Sequence, residues 1–295
     1  MKYVIASTAV TDEIHFADGK SVEIVAGGAG IYALCGVKLW CDEVMLATGV
    51  GADFQEIYGE WYEKNHLSME GLIIKDEKTP HTVINYFEDG EREEIPLYGA
   101  HHYKKIETVP EDLKPYFETA KGIYIFKNSD PEYWKKIIQY KENSSAKVMW
   151  EIGCDATYPE NYENIKRIAQ HMDVFSINLT ESRHMMAKDD MEEIIKEYQS
   201  FGIPLVFLRR GAAGAVMITP EEVTYVPSQK NVNVVDPTGG GNSSSGAVLY
   251  GFCEGFSPKI CGTMGSISAA MCLGQYGVPE KITEEMRQEA MKRAK

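Results

Sequence analysis

The stretch Val234 to Gly251, VVDPTGGGNSSSGAVLYG, is where residue type and spacing speak most directly to chemistry. A β-like run meets Gly239, Gly240 and Gly241, and an apolar helical pattern begins directly after them. Glycines let successive backbone amides converge on one point, and the following helix adds the positive end of its dipole, so the loop suits an anion. Phosphate is the obvious one. Read as punctuation alone, the same loop is a glycine-rich strand-to-helix turn. Gly28-Ala29-Gly30-Ile31-Tyr32-Ala33 fits G-x-G-x-x-A, but a dinucleotide site also needs an acid ending the second strand, where EVMLATG offers Ala47 and Thr48. Gly19-Lys20-Ser21 imitates the end of a Walker loop, yet the earlier glycine it requires falls at Ile14. His101 and His102 are adjacent, which turns their rings apart, and read as a solvated loop. Ser243-Ser244-Ser245 lacks a G-x-S-x-G elbow and reads as small-residue helix packing.

The elements that must position this loop follow from periodicity. Apolar runs YVIAS, EVMLA, GIYIF, KVMW, DVFSI, PLVFL and AVMI alternate with amphipathic stretches such as 131–142 and 161–171. That alternation predicts a parallel sheet with helices on its faces. Two segments break it: Thr82 to Phe87 runs into the turn signal Asp89-Gly90, and a second hairpin is expected around Ala17-Asp18-Gly19-Lys20. Together these hairpins, about residues 12–25 and 71–99, are expected to form a small β lid on a single domain spanning residues 1–295. Helices are expected at 243–256, 258–273 and 283–294, the last capped by Thr283. Asp53, after Gly49-Val50-Gly51, reads as another N-cap.

Composition excludes several classes. The 295 residues carry 30 Lys plus Arg against 44 Asp plus Glu, a net charge of -14 that repels nucleic acid. Six cysteines, at 35, 41, 154, 253, 261 and 272, form no C-x-x-C pair, so neither a zinc ribbon nor a disulfide framework is expected and a reducing cytoplasm fits. The opening MKYVIASTAVTDEI has too short an apolar run for a signal peptide or a membrane span and reads as a first buried strand.

Asp236-Pro237-Thr238-Gly239-Gly240-Gly241-Asn242 resembles the C-terminal signature D-T-x-G-A-G-D of the ribokinase or PfkB carbohydrate kinase family. The likeness runs over roughly residues 3 to 280, with weaker matches at Gly27-Gly28-Ala29-Gly30, at Asn178-Leu179-Thr180-Glu181 and at Arg210-Gly211-Ala212-Ala213-Gly214. It implies a ribokinase-like three-layer α/β/α sandwich with a mainly parallel central sheet and a small β lid, acting as an ATP-dependent kinase on a hydroxyl of a sugar or sugar-like molecule. It further implies that Gly239, Gly240 and Gly241 form the anion hole, and that Asp12, Gly27, Gly28, Gly30 and Tyr32 hold the substrate. Asn178, Glu181, Arg210, Gly211 and Gly214 would then face ATP, with Glu181 on Mg²⁺ through water; Arg209 is the alternative to Arg210, which directly abuts the turn. A K⁺ ion beside Asp236 and Thr238 belongs to the same implication, while the exposed strand edge of the lid hairpin invites pairing with a second chain, a homodimer through the lid.

Two positions depart from the family pattern. Asn242 stands where the family keeps the Asp that removes the hydroxyl proton, and a neutral amide has no useful basicity near neutral pH. General base catalysis contributes roughly 10²- to 10⁴-fold, so its loss reduces activity without abolishing it. Three readings stand open: a kinase with another base such as Asp236, a kinase whose substrate needs little deprotonation, and a catalytically silent nucleotide- or sugar-binding protein. The GGGN ending reads as a branch of the family. Tyr32 replaces the family's sugar-binding Asn, and with Tyr86 and Phe87 implies a pocket unlike that for a simple pentose, leaving nucleoside, hexose and sugar phosphate as candidates.

Overall fold

YVIAS is apolar at every position because both faces of the strand it forms are covered. In a computed structural model that describes residues 1–17, 19, 21–88 and 92–295, this strand, β1 (Tyr3–Ala6), is buried throughout. Tyr3 and Ile5 join one apolar cluster while Val4 and Ala6 join the other, the two-residue period of a strand between two helical layers.

The chain continues through β2 (Val10–His15), β3 (Ser21–Gly27), α1 (Ala29–Lys38), β4 (Val44–Gly51), α2 (Phe54–Lys64) and β5 (Leu72–Asp76). Next come β6 (His81–Tyr86), β7 (Arg92–Pro96), α3 (Ala100–Ile106), α4 (Pro110–Leu113), β8 (Gly122–Lys127), α5 (Pro131–Glu142) and β9 (Lys147–Ile152). Then α6 (Tyr162–Ala169), β10 (Val174–Asn178), α7 (Leu179–Met186), α8 (Met191–Ser200), β11 (Leu205–Arg209), β12 (Ala215–Ile218) and β13 (Val223–Val226) lead to α9 (Gly240–Cys253), α10 (Pro258–Cys272) and α11 (Glu284–Ala294).

Nine strands form the large sheet in the order β13-β12-β11-β10-β9-β8-β1-β4-β5. From β5 to β11 neighbours are parallel; β12 and β13 are antiparallel, since the short Gly211–Gly214 turn leaves no room for a crossover. The fold is the ribokinase-like α/β fold, with helices on both faces and a second sheet in the order β3-β2-β6-β7. In that sheet β2 and β6 lie parallel, with Thr11 opposite His81 and Asp12 opposite Thr82. The turn residues Asp18, Lys20, Asp89, Gly90 and Glu91, on which both hairpin turns were expected, lie outside the described residues.

Three expectations need correction. Leu72–Asp76, counted with the lid, instead pairs with β4 at the edge of the large sheet, Thr48 opposite Leu72. Gly71 admits this approach, because a Cβ there would sit 2.2 Å from the Leu46 carbonyl oxygen, and Lys75 ties the strand to the main body through Asp112 at 2.6 Å. His101 and His102 lie in α3 rather than in a loop, with His102 buried and 3.3 Å from Asp76. Asp53 stands at the N-cap of α2, but its carboxylate accepts from Thr79 N–H at 2.7 Å instead of capping the helix.

The C-terminal helices build the floor of the loop. α1 and α9 touch through small residues: a Cβ at Gly36 would lie 2.0 Å from the Ser243 carbonyl oxygen, and one at Gly246 would lie 2.3 Å from that of Ala33. Ser245 meets Ser176 across this layer at 2.9 Å. Thr283 caps α11 as its side chain accepts from Met286 N–H. Among the described residues no helix is long and apolar enough to cross a membrane, and all six cysteines are free thiols.

Candidate active site

The glycine loop is built from the turn before it. Asp236 is buried, and its Oδ1 accepts from the Thr238 amide at 2.8 Å, the Thr238 hydroxyl at 2.6 Å and the Tyr86 hydroxyl at 3.1 Å. Gly239 follows at φ 74°, left-handed backbone that favours glycine, and a Cβ on it would lie 2.0 Å from the Tyr32 ring. Helix α9 starts at once, so the amides of Gly240, Gly241 and Asn242 precede its first hydrogen bond, Ser243 N–H to Gly239 at 2.9 Å. Such amides at a helix N-terminus are donors for an anion.

Two cavities meet at this loop. The larger, about 510 Å³, reaches from Gly240 and Gly241 along Arg209, Gly211 and Gly214 to an apolar end at Val226 and Ala270. The smaller, about 160 Å³, holds Asp12, Gly28, Tyr32, Tyr103, Thr238, Gly239 and Asn242. An anion on the loop therefore sits between a nucleotide-sized space and a space for a small polar molecule.

On the small-cavity side, Asp12 is buried on β2, and Gly27 makes room for it: a Cβ there would overlap Oδ2 at 1.8 Å. Gly28, at φ 87°, lines the cavity, whereas Gly30 packs against the Thr8 carbonyl, 2.7 Å from where its Cβ would be. Of the expected substrate-side glycines, only Gly28 is at the wall. Tyr32 is buried, and burial followed by the charges of Asp12 and Asp236 pushes its phenol well above the usual range, so it remains a neutral donor. Phe87 is half exposed at 50%, while Tyr86 stacks on Phe16 at 5.8 Å and 19°, with Tyr276 edge-on to Phe16 at 4.8 Å. Phe16 and Tyr276, scattered in sequence, complete an aromatic cluster around Asp236 that reading along the chain missed.

On the large-cavity side, Arg209 lines the space and Arg210 does not take that place. The alternation of β11 turns the two apart: the Arg210 guanidinium lies over the Tyr225 ring at 5.8 Å, while Arg209 Nη1 lies 2.9 Å from Glu151 and Nη2 lies 3.9 Å from Glu181. Gly241 leaves room for Arg209, since a Cβ would fall 2.1 Å from Nη1. Asn178 and Glu181 form a reciprocal capping box on α7, Asn178 Oδ1 accepting from Glu181 N–H at 2.8 Å and Glu181 Oε2 from Asn178 N–H at 2.9 Å. Burial raises the Glu181 carboxyl above its ordinary value, with Arg209 opposing.

Asn242 donates its amide to Glu151 at 3.0 Å and to the Tyr124 hydroxyl at 3.3 Å. Glu151, an acid within the apolar run KVMWEI, is the site residue that sequence reasoning passed over. A charge inside an otherwise buried strand was the signal available.

A glycine loop at a helix N-terminus between two cavities on this fold accords with the class to which the family match assigns the chain, the sugar or nucleoside kinases. The description of the pfkB family carbohydrate kinases matches residues 3–285, and the chain belongs to that family. The chain is similar to a cytidine kinase of Thermococcus kodakarensis, 26% identical over 90% of this chain and 94% of that one. It is also similar to an uncharacterized protein of Schizosaccharomyces pombe, 26% identical over 95% and 86% respectively. Among solved structures, adenosine kinase from Sinorhizobium meliloti superposes with a TM-score of 0.81 at 18% identity, covering 99% of this chain and 98% of that one.

ATP and Mg²⁺, which the family implies, fit the residues present. The loop offers amides and room that a Cβ would fill, Arg209 is a cation on the cavity wall, and the oxygen donor of Glu181 lies 3.9 Å from it, a donor type that suits a hard cation or its water shell.

Proposed function

We propose that the protein transfers the terminal phosphoryl group of ATP to a hydroxyl of a nucleoside or a similar sugar. The observation that carries this reading is the Gly239–Gly241 cradle standing between the two cavities. ATP occupies the larger, its phosphates running past Arg209 to the amides of Gly240 and Gly241. Mg²⁺ neutralises phosphate charge when bound, with Glu181 toward its water shell and Arg209 as the fixed cation. The acceptor sits in the smaller cavity, where Asp12 takes hydrogen bonds from paired hydroxyls. Its reacting hydroxyl points at Asn242, which orients it. The hydroxyl oxygen bonds to the γ-phosphorus as the bond to the bridging oxygen breaks and ADP leaves, and the hydroxyl proton passes to an oxygen of the transferred phosphoryl group and from there to water.

Tyr32 and Tyr103 on the wall of the smaller cavity support a nucleoside, since aromatic rings suit a planar base. The relative named cytidine kinase supports the same class. Relatives named for an activity are named as kinases, which gives the silent binding protein no support. The small sheet serves as the lid that excludes water, and K⁺ beside Asp236 and Thr238 belongs to the same proposal. Its test is turnover of ATP by the unmodified protein with Mg²⁺, with and without K⁺, which is expected to depend on an added acceptor; equal turnover without one contradicts it.

A homodimer through the small sheet completes the reading, because β3 and β7 are its open edges and Ile95 and Leu97 are exposed there. Sedimentation is expected to give twice the chain mass; a single species of 33.1 kDa contradicts it.

A further inference from the structure

Asn242 leaves the cradle without the acid of the signature it resembles, yet the structure brings another acid against it. Glu151 lies near the end of β9, only 1% exposed, and three side chains hold it. Its Oε1 accepts from Asn242 Nδ2 at 3.0 Å and from Arg209 Nη1 at 2.9 Å, and its Oε2 accepts from the Tyr124 hydroxyl at 2.8 Å. Burying a carboxylate is costly unless a counter-charge and hydrogen bonds compensate, and this one has both.

A carboxylate only accepts hydrogen bonds, so it dictates which way the neighbouring amide turns. Asn242 must present nitrogen to Glu151, and its carbonyl oxygen therefore faces away from that carboxylate. Asn242 also lines the 160 Å³ cavity. We propose that Glu151 is the positioning residue of this site: by holding Asn242 Nδ2 it sets Asn242 Oδ1 toward the cavity as the acceptor for the substrate hydroxyl. This inference rests on the phosphotransferase reading and deepens it.

The same geometry accounts for the absence of an acid at 242. An aspartate there would set a second carboxylate against Glu151 at hydrogen-bond distance, where two like charges cannot both persist and one must take a proton. The acid has in effect moved from the helix N-terminus to the neighbouring strand, and Asn242 and Glu151 form a matched pair. Glu151 does not itself take the hydroxyl proton: Asn242, Arg209 and Tyr124 occupy its two oxygens, and it is closed off from solvent. Tyr124 stays a donor, its phenol pushed well above the usual range by burial and by the charge of Glu151.

The test is a double-mutant cycle on the full chain, with E151Q, N242D and the double variant E151Q/N242D. For each, kcat and KM are measured with MgATP and with cytidine, inosine and D-ribose as acceptors, alongside the thermal midpoint. Each single variant is expected to lose about 10- to 100-fold in kcat with little change in KM, the scale of a misplaced reacting group. The double variant is expected to recover to within about tenfold of the parent, because the introduced glutamine amide then donates to the introduced aspartate carboxylate and the pair is restored with its polarity reversed. Losses that simply multiply overturn the proposal, as does a double variant that regains its thermal midpoint but not its kcat, which would make the contact structural only. The two readings fail separately: an unmodified protein inert toward all three acceptors overturns the phosphotransferase function and the positioning role with it, whereas an active parent with multiplying losses overturns Glu151 alone.

Discussion

Gly239 is the residue on which the loop turns. Its backbone is left-handed and its missing Cβ makes way for the Tyr32 ring, so two independent constraints demand glycine. Gly239→Ala is expected to destabilise the protein by about 1–2 kcal/mol from the left-handed backbone alone, with an overpacking cost of ~1–3 kcal/mol against the ring. Chemical denaturation checks the sum, and an unchanged midpoint would contradict the assignment. The need for glycines here was legible in the sequence, but not its cause, because Tyr32 is distant in sequence and meets Gly239 only once α1 and α9 pack. The same limit explains Arg209 and Glu151. Adjacency to the turn favoured Arg210, whereas strand alternation sends Arg209 to the cavity, and a lone acid in an apolar run announces no partner until β9 and α9 are brought together.

At the scale of elements, α11 buries Ala290 and Ala294 in the core and adds an ion-paired side chain, Arg287. Arg287 donates to both oxygens of Asp42 at 2.7 Å and to the carbonyls of Lys38 and Leu39, joining the last helix to the end of α1. The hydrogen bond from Arg287, then that from Lys38, holds the Asp42 carboxyl well below its ordinary value of 3.8. A lowered carboxyl contributes stability that is present above the ordinary value and is lost as pH falls below it. Since Asp42 is largely exposed, screening keeps the effect small. Arg287→Ala is therefore expected to lower stability at pH 7 and to differ less from the parent as pH falls below about 4, where Asp42 begins to protonate in the unfolded chain. Urea titrations at the two pH values check this; a gap that widens in acid contradicts it. The elements themselves were largely legible, because buried parallel strands read as apolar runs and caps such as Thr283 mark helix starts. The edge strand β5 was not: Ile74 is 68% exposed, and nothing local distinguishes such a strand from one arm of a hairpin.

At the scale of the molecule, a parallel sheet flanked by helices brings the ends of distant strands to one rim. There β9, β10 and β11 supply Glu151, Asn178 and Arg209, and the start of α9 supplies the cradle. The small sheet closes the other side with Asp12 and Tyr86. At this rim Arg209 stands among the carboxylates of Glu151 and Glu181, beside the helix N-terminus of α9, so on the proposed reading the amides of that terminus and a bound cation must carry much of the phosphate charge. The function of the molecule turns on whether this arrangement transfers phosphoryl groups with Asn242 in place of an acid. The deciding experiment incubates the unmodified protein with MgATP and K⁺ and, separately, cytidine, inosine and D-ribose, and follows the acceptor by mass spectrometry. The expected result is an acceptor gaining one phosphoryl group as ADP accumulates in equal amount. Bound MgATP with no acceptor phosphorylated across that set would contradict it.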